Sequence, residues 1–253
     1  MKITFLGTGT SQGVPVIACH CGVCESNDSK DKRLRSSVLL SYNNKNVVID
    51  TGPDFRQQML SAKVEHLDAV LFTHEHKDHV AGLDDVRAFN FKQKMDMPLY
   101  ASEQVERQLR QEFYYAFSNV KYPGVPQLKF HRIENECFKL FDETITPIEV
   151  MHYKLPVFGF RVADFTYITD ASFISESEKD KIRGSEVVVL NALRIEDHIS
   201  HFTLKEALEL IKELQPKKAY LTHISHLLGK HDDVLKQLPA NVTLAYDGLV
   251  LEV

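Results

Sequence analysis

A dense cluster of candidate metal ligands follows a short apolar run. The stretch "FTHEHKDHVAGL" (72–83) contains three histidines and one aspartate within six residues: His74, His76, Asp78 and His79. Side chains of these types seldom cluster so densely unless they bind metal. Alternate residues of an extended segment face the same way, so His74 and His76 can point at one ion. Asp78 and His79 follow where the chain begins to turn, and they can reach a second ion nearby.

Four more candidate ligands each end an apolar run elsewhere in the chain: Asp50, His152, Asp170 and His223. The carboxyl ends of strands form the edge where α/β proteins usually place their sites. A single histidine after a strand is more often structural, but together with the cluster these residues complete a set for two metals. The donors are all nitrogen or oxygen, which suits Zn²⁺ or Mn²⁺ and does not choose between them.

A two-metal site of this kind predicts hydrolysis. Two divalent ions about 3.5–4 Å apart can share one water and lower its pKa toward neutrality, which makes a hydroxide nucleophile. A phosphodiester bound to the same ions becomes more electrophilic, and its displacement is held at both ends. The leaving alkoxide still needs a proton, and "HISHFTL" (198–204) supplies His198 and His201 just before a predicted helix.

Three of the four cysteines fall within "CHCGVC" (19–24), at Cys19, Cys21 and Cys24. In a reducing compartment such clustering suggests metal binding more than disulfides, with free cysteines as the alternative. Three thiolates need a fourth ligand to make a tetrahedral zinc site. His20 lies inside the motif, but its side chain would have to fold back beside its neighbours to serve.

Composition limits the class of protein. The chain has 253 residues, enough for one large core or two small domains, with 43% hydrophobic and 26% charged residues. Its net charge of −5 disfavours non-specific nucleic-acid binding. No apolar run approaches the length of a membrane span, and "MKITFLGTGT" lacks the apolar region and cleavage site of a signal peptide. We therefore expect a cytoplasmic protein without a membrane partner.

Short apolar runs predict the strands that must hold the candidate ligands. These runs occupy residues 3–6, 37–42, 46–50, 68–73, 145–151, 158–163, 165–169, 186–193, 218–222, 242–246 and 249–253. Asn43–Asn44 suits a hairpin turn between the second and third runs. Asp247–Gly248 is a strong type I′ turn signal, and it predicts a hairpin between the last two runs.

Two stretches between these runs have helical periodicity. Residues 102–117 begin with a serine that suits an N-cap. Residues 203–215 carry a T-x-x-E capping box at Thr203 and Glu206, and Pro216 follows to stop the helix. The mixture of many strands with interspersed helices indicates one α/β domain, with two sheets or one large sheet.

The order of these motifs resembles the metallo-β-lactamase superfamily. The matching motifs run along nearly the whole chain: "FLGTGTSQGVP" (5–15), "CHCGVC" (19–24), "VVIDTGPD" (47–54), "THEHKDH" (73–79), "YITDAS" (167–172), "HISHFTL" (198–204) and "LTHISH" (221–226). Within the superfamily the chain is similar to the branch of the phosphoribosyl cyclic phosphate phosphodiesterase of phosphonate metabolism, and it shares features with tRNase Z. The resemblance implies an α/β (α+β four-layer) fold, the αββα metallo-β-lactamase-type sandwich, as a single hydrolase domain over residues 1–253.

The resemblance also implies a role for each candidate ligand of the catalytic site. One metal would be held by three histidines: His74, His76 and His152. The other would be held by two residues of the cluster and one distant strand end: Asp78, His79 and His223. Asp170 would bridge the two metals, and Asp50 would orient the histidine motif through hydrogen bonds. We also expect Asp78 to be a catalytic residue.

The stretch "LTHISH" (221–226) places His223 and His226 three residues apart, and one shared metal is the simplest interpretation. The number of ligands that each site needs assigns the two histidines to different sites. The two-metal site needs one more histidine, and the three cysteines need one more ligand. By resemblance, His226 completes a closed structural zinc site with the cysteines. This site would tie the N-terminal loop to the segment that carries His223.

The resemblance gives His201 the role of the general acid that contacts the substrate phosphate. A histidine pKa near the operating pH suits that role. His198 receives no assigned role. Asn191 stands where related proteins often have an acidic residue, and we expect it to tune the charge near the metals or to contact the leaving group.

The leading functional hypothesis is a metal-dependent phosphodiesterase acting on small, cyclic or linear phosphodiesters. An alternative is RNA 3′-end processing as in tRNase Z, a family that carries an RNA-gripping arm between the motifs matching His152 and Asp170. Residues 153–169 are too few for such an arm, and the acidic balance also disfavours RNA. Other hydrolases of the superfamily match less well, and a non-catalytic metal-binding protein would be expected to have lost a ligand. Relatives in this branch are often homodimers.

Overall fold

A computed structural model describes residues 1–118 and 122–253, and in this part of the chain fourteen strands form two sheets. The first sheet contains, in spatial order, β14 (Val250–Glu252), β1 (Lys2–Gly7), β2 (Ser37–Tyr42), β3 (Lys45–Ile49), β4 (Ala69–Leu71), β5 (Met97–Ala101) and β6 (Leu128–Arg132). The second contains β13 (Val242–Leu244), β12 (Lys218–Thr222), β11 (Val187–Asn191), β10 (Phe165–Tyr167), β9 (Leu155–Val162), β8 (Glu143–His152) and β7 (Phe138–Leu140).

Helices accompany each sheet. Those that lie between strands of the first sheet are α1 (Phe55–Ser61), α2 (Lys77–Val80), α3 (Arg87–Gln93), α4 (Glu103–Glu112) and α5 (Tyr114–Phe117). Those that follow strands of the second sheet are α6 (Glu176–Ile182), α7 (Leu204–Leu214) and α8 (His231–Leu235). Two short 3₁₀ turns occupy Ser29–Asp31 and Leu83–Val86.

Three buried apolar clusters divide the molecule into layers. One cluster joins the facing sides of the two sheets, with Phe5 and Val38 from the first and Phe160 and Val189 from the second. A second cluster packs α1, α3 and α4 onto the outer side of the first sheet, and a third packs α6, α7 and α8 onto the outer side of the second. Each sheet therefore buries apolar side chains on both faces, which removes them from water. The predicted αββα sandwich is confirmed.

The sequences of the parallel strands are continuous apolar runs because both faces of each sheet are buried. Every residue of β11 is buried, because β11 lies between β10 and β12 in parallel pairing and has packing on both faces. The carboxyl ends of these parallel strands lie along one edge of the sheet. This is the edge from which the candidate ligands project.

The two predicted hairpins have different outcomes. Asn43–Asn44 joins β2 to β3 in antiparallel pairing, and both residues have positive φ (48° and 60°), as a type I′ turn requires. The hairpin at Asp247–Gly248 is wrong, because β13 pairs with β12 in the second sheet whereas β14 pairs with β1 in the first. Gly248 has a positive φ of 89°, but the carboxylate of Asp247 accepts hydrogen bonds from distant Thr8 Oγ1 (2.8 Å) and Leu34 N (2.6 Å). The dipeptide therefore carries the chain between the sheets.

The helix predictions are largely confirmed. The stretch 102–117 divides at Phe113 into α4 and α5, and the Ser102 hydroxyl caps α4 by accepting from Val105 N. In α7 the Thr203 hydroxyl accepts from Glu206 N while the Glu206 carboxylate accepts from Thr203 N, so the capping box is complete.

No helix among the described residues is long and apolar enough to cross a membrane. The assignment of residues 1–253 to one domain stays a prediction.

Candidate metal centre

The candidate ligands come together where the two sheets meet at the carboxyl ends of their strands. Asp50 directly follows β3, and the cluster 74–79 follows β4. From the second sheet, His152 ends β8, Asp170 lies three residues after β10, and His223 directly follows β12. The sequence prediction of a shared edge therefore matches where the structure places all of these side chains.

Three of these strand ends have left-handed backbone conformations. The φ values are 66° at Asp50, 57° at Asp170 and 55° at His223. A non-glycine residue in this region costs on the order of 1–3 kcal/mol, and such strain persists only where the surrounding structure fixes it. The sharp change of direction at each strand end lets the side chain enter the space between the sheets.

The side chains form two adjoining groups, each with potential ligand atoms within 4.8 Å of one another. The first group contains His74, His76 and His152, and the second contains Asp78, His79, Asp170 and His223. We call them together the strand-end group. The partition matches the one that the family resemblance implies, while the assignment of these residues as metal ligands stays a prediction.

Asp170 lies at the centre of the strand-end group. Its Oδ2 atom lies 3.3 Å from His79 Nε2 and 3.2 Å from His223 Nδ1. Its Oδ1 atom lies 3.0 Å from His201 Nε2. Asp170, His152 and His201 also bring potential ligand atoms within 4.8 Å of one another. One carboxylate thus connects the second ligand group, the first ligand group and the predicted acid.

Hydrogen bonds fix the orientation of three imidazole rings. Asp50 Oδ2 lies 2.7 Å from His79 Nδ1, and the carbonyl oxygen of Ser200 lies 2.8 Å from His152 Nδ1. An oxygen acceptor requires the proton on Nδ1, so each Nε2 is left with a lone pair.

The same arrangement holds at His74. The Thr73 hydroxyl donates to Asp50 Oδ2 at 2.8 Å, so it accepts from His74 Nδ1 at 3.0 Å. Asp50 therefore orients two histidines, one directly and one through Thr73.

The buried atoms of this group fit a cation. His79 Nε2 is buried and has no hydrogen-bond partner among the described residues, although it lies 3.1 Å from Asp78 Oδ2 and 3.3 Å from Asp170 Oδ2. A nitrogen lone pair facing two carboxylate oxygens is unfavourable unless a positive charge lies between them. The donor set of imidazole nitrogens and carboxylate oxygens is one that divalent transition metals accept.

The pKa directions agree with this interpretation. Burial lowers the pKa of His74, His152 and His223, the last to about 3, so their imidazoles are neutral at pH 7 and their lone pairs are available. Burial also opposes charge on His79, but three surrounding carboxylates outweigh it and raise the pKa of His79 well above the usual value. Without a metal, a proton on His79 would take the place of the cation.

Several residues that hold the site were missed by sequence reasoning. Thr73 positions His74, and the Thr169 hydroxyl donates to Asp170 Oδ2 at 2.5 Å. Ser200 contacts three histidines, through its carbonyl, its N–H and its hydroxyl. Each is a short polar residue directly beside a ligand or a predicted acid, and that adjacency is the signal that could have identified it.

Asn191 holds the backbone beside Asp170, and its expected influence on the site stays a prediction. Its side chain is fully buried, its Oδ1 accepts from Ala171 N at 2.8 Å, and its Nδ2 donates to Ala171 O at 3.0 Å. An acidic residue could make the first bond but not the second, because a carboxylate has no donor. Asn191 therefore fixes the backbone next to Asp170 through both polar atoms of its amide.

A separate cluster is formed by the three cysteines and His226. The Sγ atoms of Cys19, Cys21 and Cys24 lie 3.3, 3.3 and 3.5 Å from His226 Nδ1. Sulfur and nitrogen ligands that share a tetrahedral zinc ion lie about 3.6 Å apart, so the spacing fits. His20 is exposed and lies 3.0 Å from Glu25, away from the thiols. We call this set the cysteine group.

The thiol pKa values in this group differ with burial. The backbone N–H of Cys24 and the ring of His226 lower the pKa of Cys21 to about 6. Burial raises the pKa of Cys24 to about 11. One thiolate is therefore available near neutral pH, and a bound cation would stabilise the others.

The segment between His223 and His226 is held on both sides. Ile224 N donates to Thr8 O at 2.9 Å, and Ser225 N and Oγ both donate to Leu193 O at 3.0 and 2.8 Å. The two histidines therefore point to different clusters, His223 to the strand-end group and His226 to the cysteine group.

Comparison with known proteins identifies the family to which this fold belongs. The Beta-lactamase superfamily domain matches residues 45–224. The crystal structure of a diphosphatase from the PhnP family has 41% identity to this chain and a TM-score of 0.94, with 100% of this chain and 97% of that chain covered.

Two curated relatives are also similar. An octanoyltransferase of Porphyromonas gingivalis is 38% identical over 252 residues, which cover 98% of this chain and 51% of the relative, so the chain spans about half the length of that protein. A ribonuclease Z of Nostoc sp. is 28% identical over 172 residues, covering 65% of this chain and 47% of the relative. The chain therefore belongs to the beta-lactamase superfamily and, within it, to the PhnP family.

Proposed function

We propose that this protein hydrolyses small phosphodiesters, cyclic ones foremost, with two divalent ions held by the strand-end group. The observation that carries the proposal is the position of Asp170. One oxygen of its carboxylate faces two histidines of the second ligand group, and the other faces His201 at 3.0 Å. A candidate acid thus stands directly beside a two-metal ligand set.

In this proposal His74, His76 and His152 would hold one ion, Asp78, His79 and His223 would hold the other, and Asp170 would be a ligand shared by the two. Zn²⁺ and Mn²⁺ both suit these donors. When bound, such ions supply a water of lowered pKa as the nucleophile and offset the charge of the phosphate. The cysteine group with His226 would hold a third, structural Zn²⁺.

The residues of the chain would then handle the protons. His201 donates from Nε2 to the leaving oxygen of the substrate, since this nitrogen faces the site beside Asp170. Asp78 is the second proposed catalytic residue, because its carboxylate can accept a hydrogen bond from the attacking water. Asp78 Oδ2 lies 3.1 Å from His79 Nε2, so both atoms would face the same ion.

A phosphoric anhydride is the second candidate substrate, because the 41% identical relative is a diphosphatase. The two classes differ in what the leaving group needs. An alkoxide is a strong base and requires a proton as it leaves, whereas a phosphate is a much weaker base and can leave unprotonated. The presence of His201 beside Asp170 therefore favours an ester with an alcohol leaving group.

RNA processing as in ribonuclease Z is less well supported. The residues between His152 and Asp170 build β9 and β10 of the second sheet, and β8 and β9 join directly, with His152 paired to Leu155. These residues leave no length for an RNA-gripping arm. Octanoyl transfer is not proposed, since the chain spans about half of that relative. A cytoplasmic location and a homodimer stay predictions.

The test is substrate profiling of protein reconstituted with Zn²⁺ or Mn²⁺. The panel contains cyclic ribose phosphates, cyclic nucleotides, bis(p-nitrophenyl) phosphate, a nucleoside diphosphate and precursor tRNA. We expect turnover of the cyclic esters that Asp170→Ala abolishes. If the protein hydrolysed the nucleoside diphosphate but no ester, the phosphoric anhydride would replace the phosphodiester as the proposed substrate. Selective cleavage of precursor tRNA would establish the RNA alternative instead.

A further inference from the structure

His198 lies against His201, on the side away from Asp170. The two ring centroids are 4.9 Å apart, and the two Nδ1 atoms are 3.1 Å apart. Ser200 lies between them in sequence and contacts both rings. Two ring nitrogens at this distance need one proton between them, and the surrounding contacts decide which ring carries it.

The backbone decides the protonation of His198. Ser200 N donates to His198 Nδ1 at 3.3 Å. A backbone N–H can only donate, so His198 Nδ1 must present a lone pair and its own proton must lie on Nε2. Burial, together with the nearby charges of His201 and Arg194, lowers the pKa of His198 and so favours this neutral form.

The protonation of His201 follows from that of His198. Because His198 Nδ1 is an acceptor, His201 Nδ1 must be the donor across the 3.1 Å contact. The Ser200 hydroxyl agrees, because it lies 3.0 Å from His201 Nδ1 and 3.4 Å from His198 Nδ1, and it can accept from the first while donating to the second. With Nδ1 occupied, His201 exchanges protons only through Nε2, which lies 3.0 Å from Asp170 Oδ1.

We propose that His198 is a positioning residue that keeps a proton on His201 Nδ1 and thereby reserves Nε2 for the substrate. This rests on the proposed function of His201. In the catalytic step the Nε2 proton of the imidazolium passes to the leaving alkoxide oxygen, and the Nδ1 proton stays in its bond to His198. Neutral His201 then regains a proton at Nε2 from water.

The loop around His198 has independent supports. Arg194 donates to the carbonyl oxygens of Glu196 at 3.1 Å and Asp197 at 2.5 Å. Ser200 O accepts from His152 Nδ1 at 2.8 Å. Substitution of His198 should therefore change the tautomer of His201 without unfolding the loop.

The test compares three substitutions in zinc-loaded protein. The oxygen of Asn can occupy the place of a histidine Nδ1, whereas the amide of Gln reaches the place of Nε2. We expect His198→Asn to preserve the acceptor, while His198→Gln and His198→Ala remove it. With ¹⁵N-labelled histidine, the ring nitrogen shifts should show His201 protonated on Nδ1 in the wild type and in His198→Asn, and a mixture of tautomers in the other two. A wild-type His201 that lacks the proton on Nδ1, or an Nδ1 proton that is retained unchanged in His198→Ala, would overturn the proposal.

Kinetics supply a second readout. General-acid catalysis is worth about 10²–10⁴-fold, so loss of its orientation in His198→Gln should lower kcat about tenfold for alkyl esters and little for p-nitrophenyl esters. In a His201→Ala background the same substitution should have no further effect. His66→Gln serves as the control, because that ring contacts Asn44 and Asp68 instead.

The kinetic outcomes separate the two proposals. An equal loss for both ester classes would indicate a merely structural role for His198 and would contradict the inference. If the wild type hydrolyses no ester at all, the proposed function fails, and the tautomer measurement still decides the question about His198.

Discussion

The strand-end group contains seven candidate ligands and the cysteine group contains four, and the two groups also differ in the contacts that support them. In the strand-end group the rings of His74, His79 and His152 are fixed by oxygen acceptors on Thr73, Asp50 and Ser200. In the cysteine group the described hydrogen-bond contacts of the Cys21 and Cys24 thiols are with His226 Nδ1 and with backbone N–H groups of the same loop. We therefore expect the first group to be organised without metal, and the second to depend on a bound metal for its shape.

This difference has a consequence for the short segment that joins the groups. His223 and His226 are separated by Ile224 and Ser225, whose backbones are bonded to Thr8 and Leu193. These bonds isolate the two histidines from each other. Damage to the cysteine group should loosen the N-terminal loop before it reaches the chemistry at the strand ends.

The largest effect is expected for Asp170→Ala. This residue contacts His79, His201 and His223, so its loss removes the link between the candidate ligands and the proposed acid. We expect hydrolysis of bis(p-nitrophenyl) phosphate to fall by at least about 10³-fold, measured at saturating metal. Metal analysis should still find the equivalent held by the cysteine group. An active variant would refute the bridging role, and loss of all metal would show that the two groups are not independent.

His226→Ala tests the other side of the comparison. The protein should lose one metal equivalent, and its melting temperature should fall by about 5–10 °C if the bound metal contributes about 2–3 kcal/mol. Activity at a permissive temperature should remain. The matched control is His20→Ala, since His20 lies in the same loop but is exposed and bonded to Glu25. Retention of all bound metal would remove His226 from the structural site.

A buried carboxylate at the ends of the segment between β1 and β2, which carries the cysteines, predicts that the stability of the fold depends on pH. Asp247, which accepts from Thr8 and Leu34, is buried, and burial raises its pKa from 3.8 to about 6. Between about pH 4 and pH 6 the folded protein holds a proton that the unfolded chain has released, so stability falls as the pH rises through this window. The shift corresponds to about 3 kcal/mol.

The measurement is the free energy of urea unfolding from pH 4 to pH 7 for the wild type and Asp247→Asn. The candidate metal ligands also titrate, but their contribution cancels when the free energy of unfolding of one protein is subtracted from that of the other. We expect the variant to gain relative to the wild type, by up to about 3 kcal/mol, as the pH rises. A difference that does not change with pH would show that Asp247 titrates normally.

The sequence predicted which candidate ligands lie together in each group, but it did not predict the residues that hold those ligands in position. Ligand types are chemically distinctive, and the run of His74 to His79 is dense enough to be recognised alone. Supports such as Thr73, Ser200 and Asn191 are common polar residues whose partners lie far away or are backbone atoms. Their roles became visible only with the contacts, as in the two bonds from Asn191 to Ala171.

The same limit applied to the fold. The hairpin at Asn43–Asn44 was predicted correctly because the turn residues and the pairing strands are all local. At Asp247–Gly248 the local signal was equally strong, but β14 found its partner in β1, at the other end of the chain. Long-range pairing outweighed the preference of the turn.

The smallest predicted effect gives the sharpest test of the comparison. Asn191→Asp would leave the Ala171 carbonyl without its donor and would bury a carboxylate near Asp170, which should cost about 1–3 kcal/mol. Because the bonds of Asn191 involve no metal, the fall in melting temperature should be similar before and after treatment with a chelator. The fall caused by His226→Ala should disappear once the metal has been removed from the wild type as well. If chelation abolished the effect of Asn191→Asp too, the strand-end group would depend on its metals for its shape, and the distinction between the two groups would be lost.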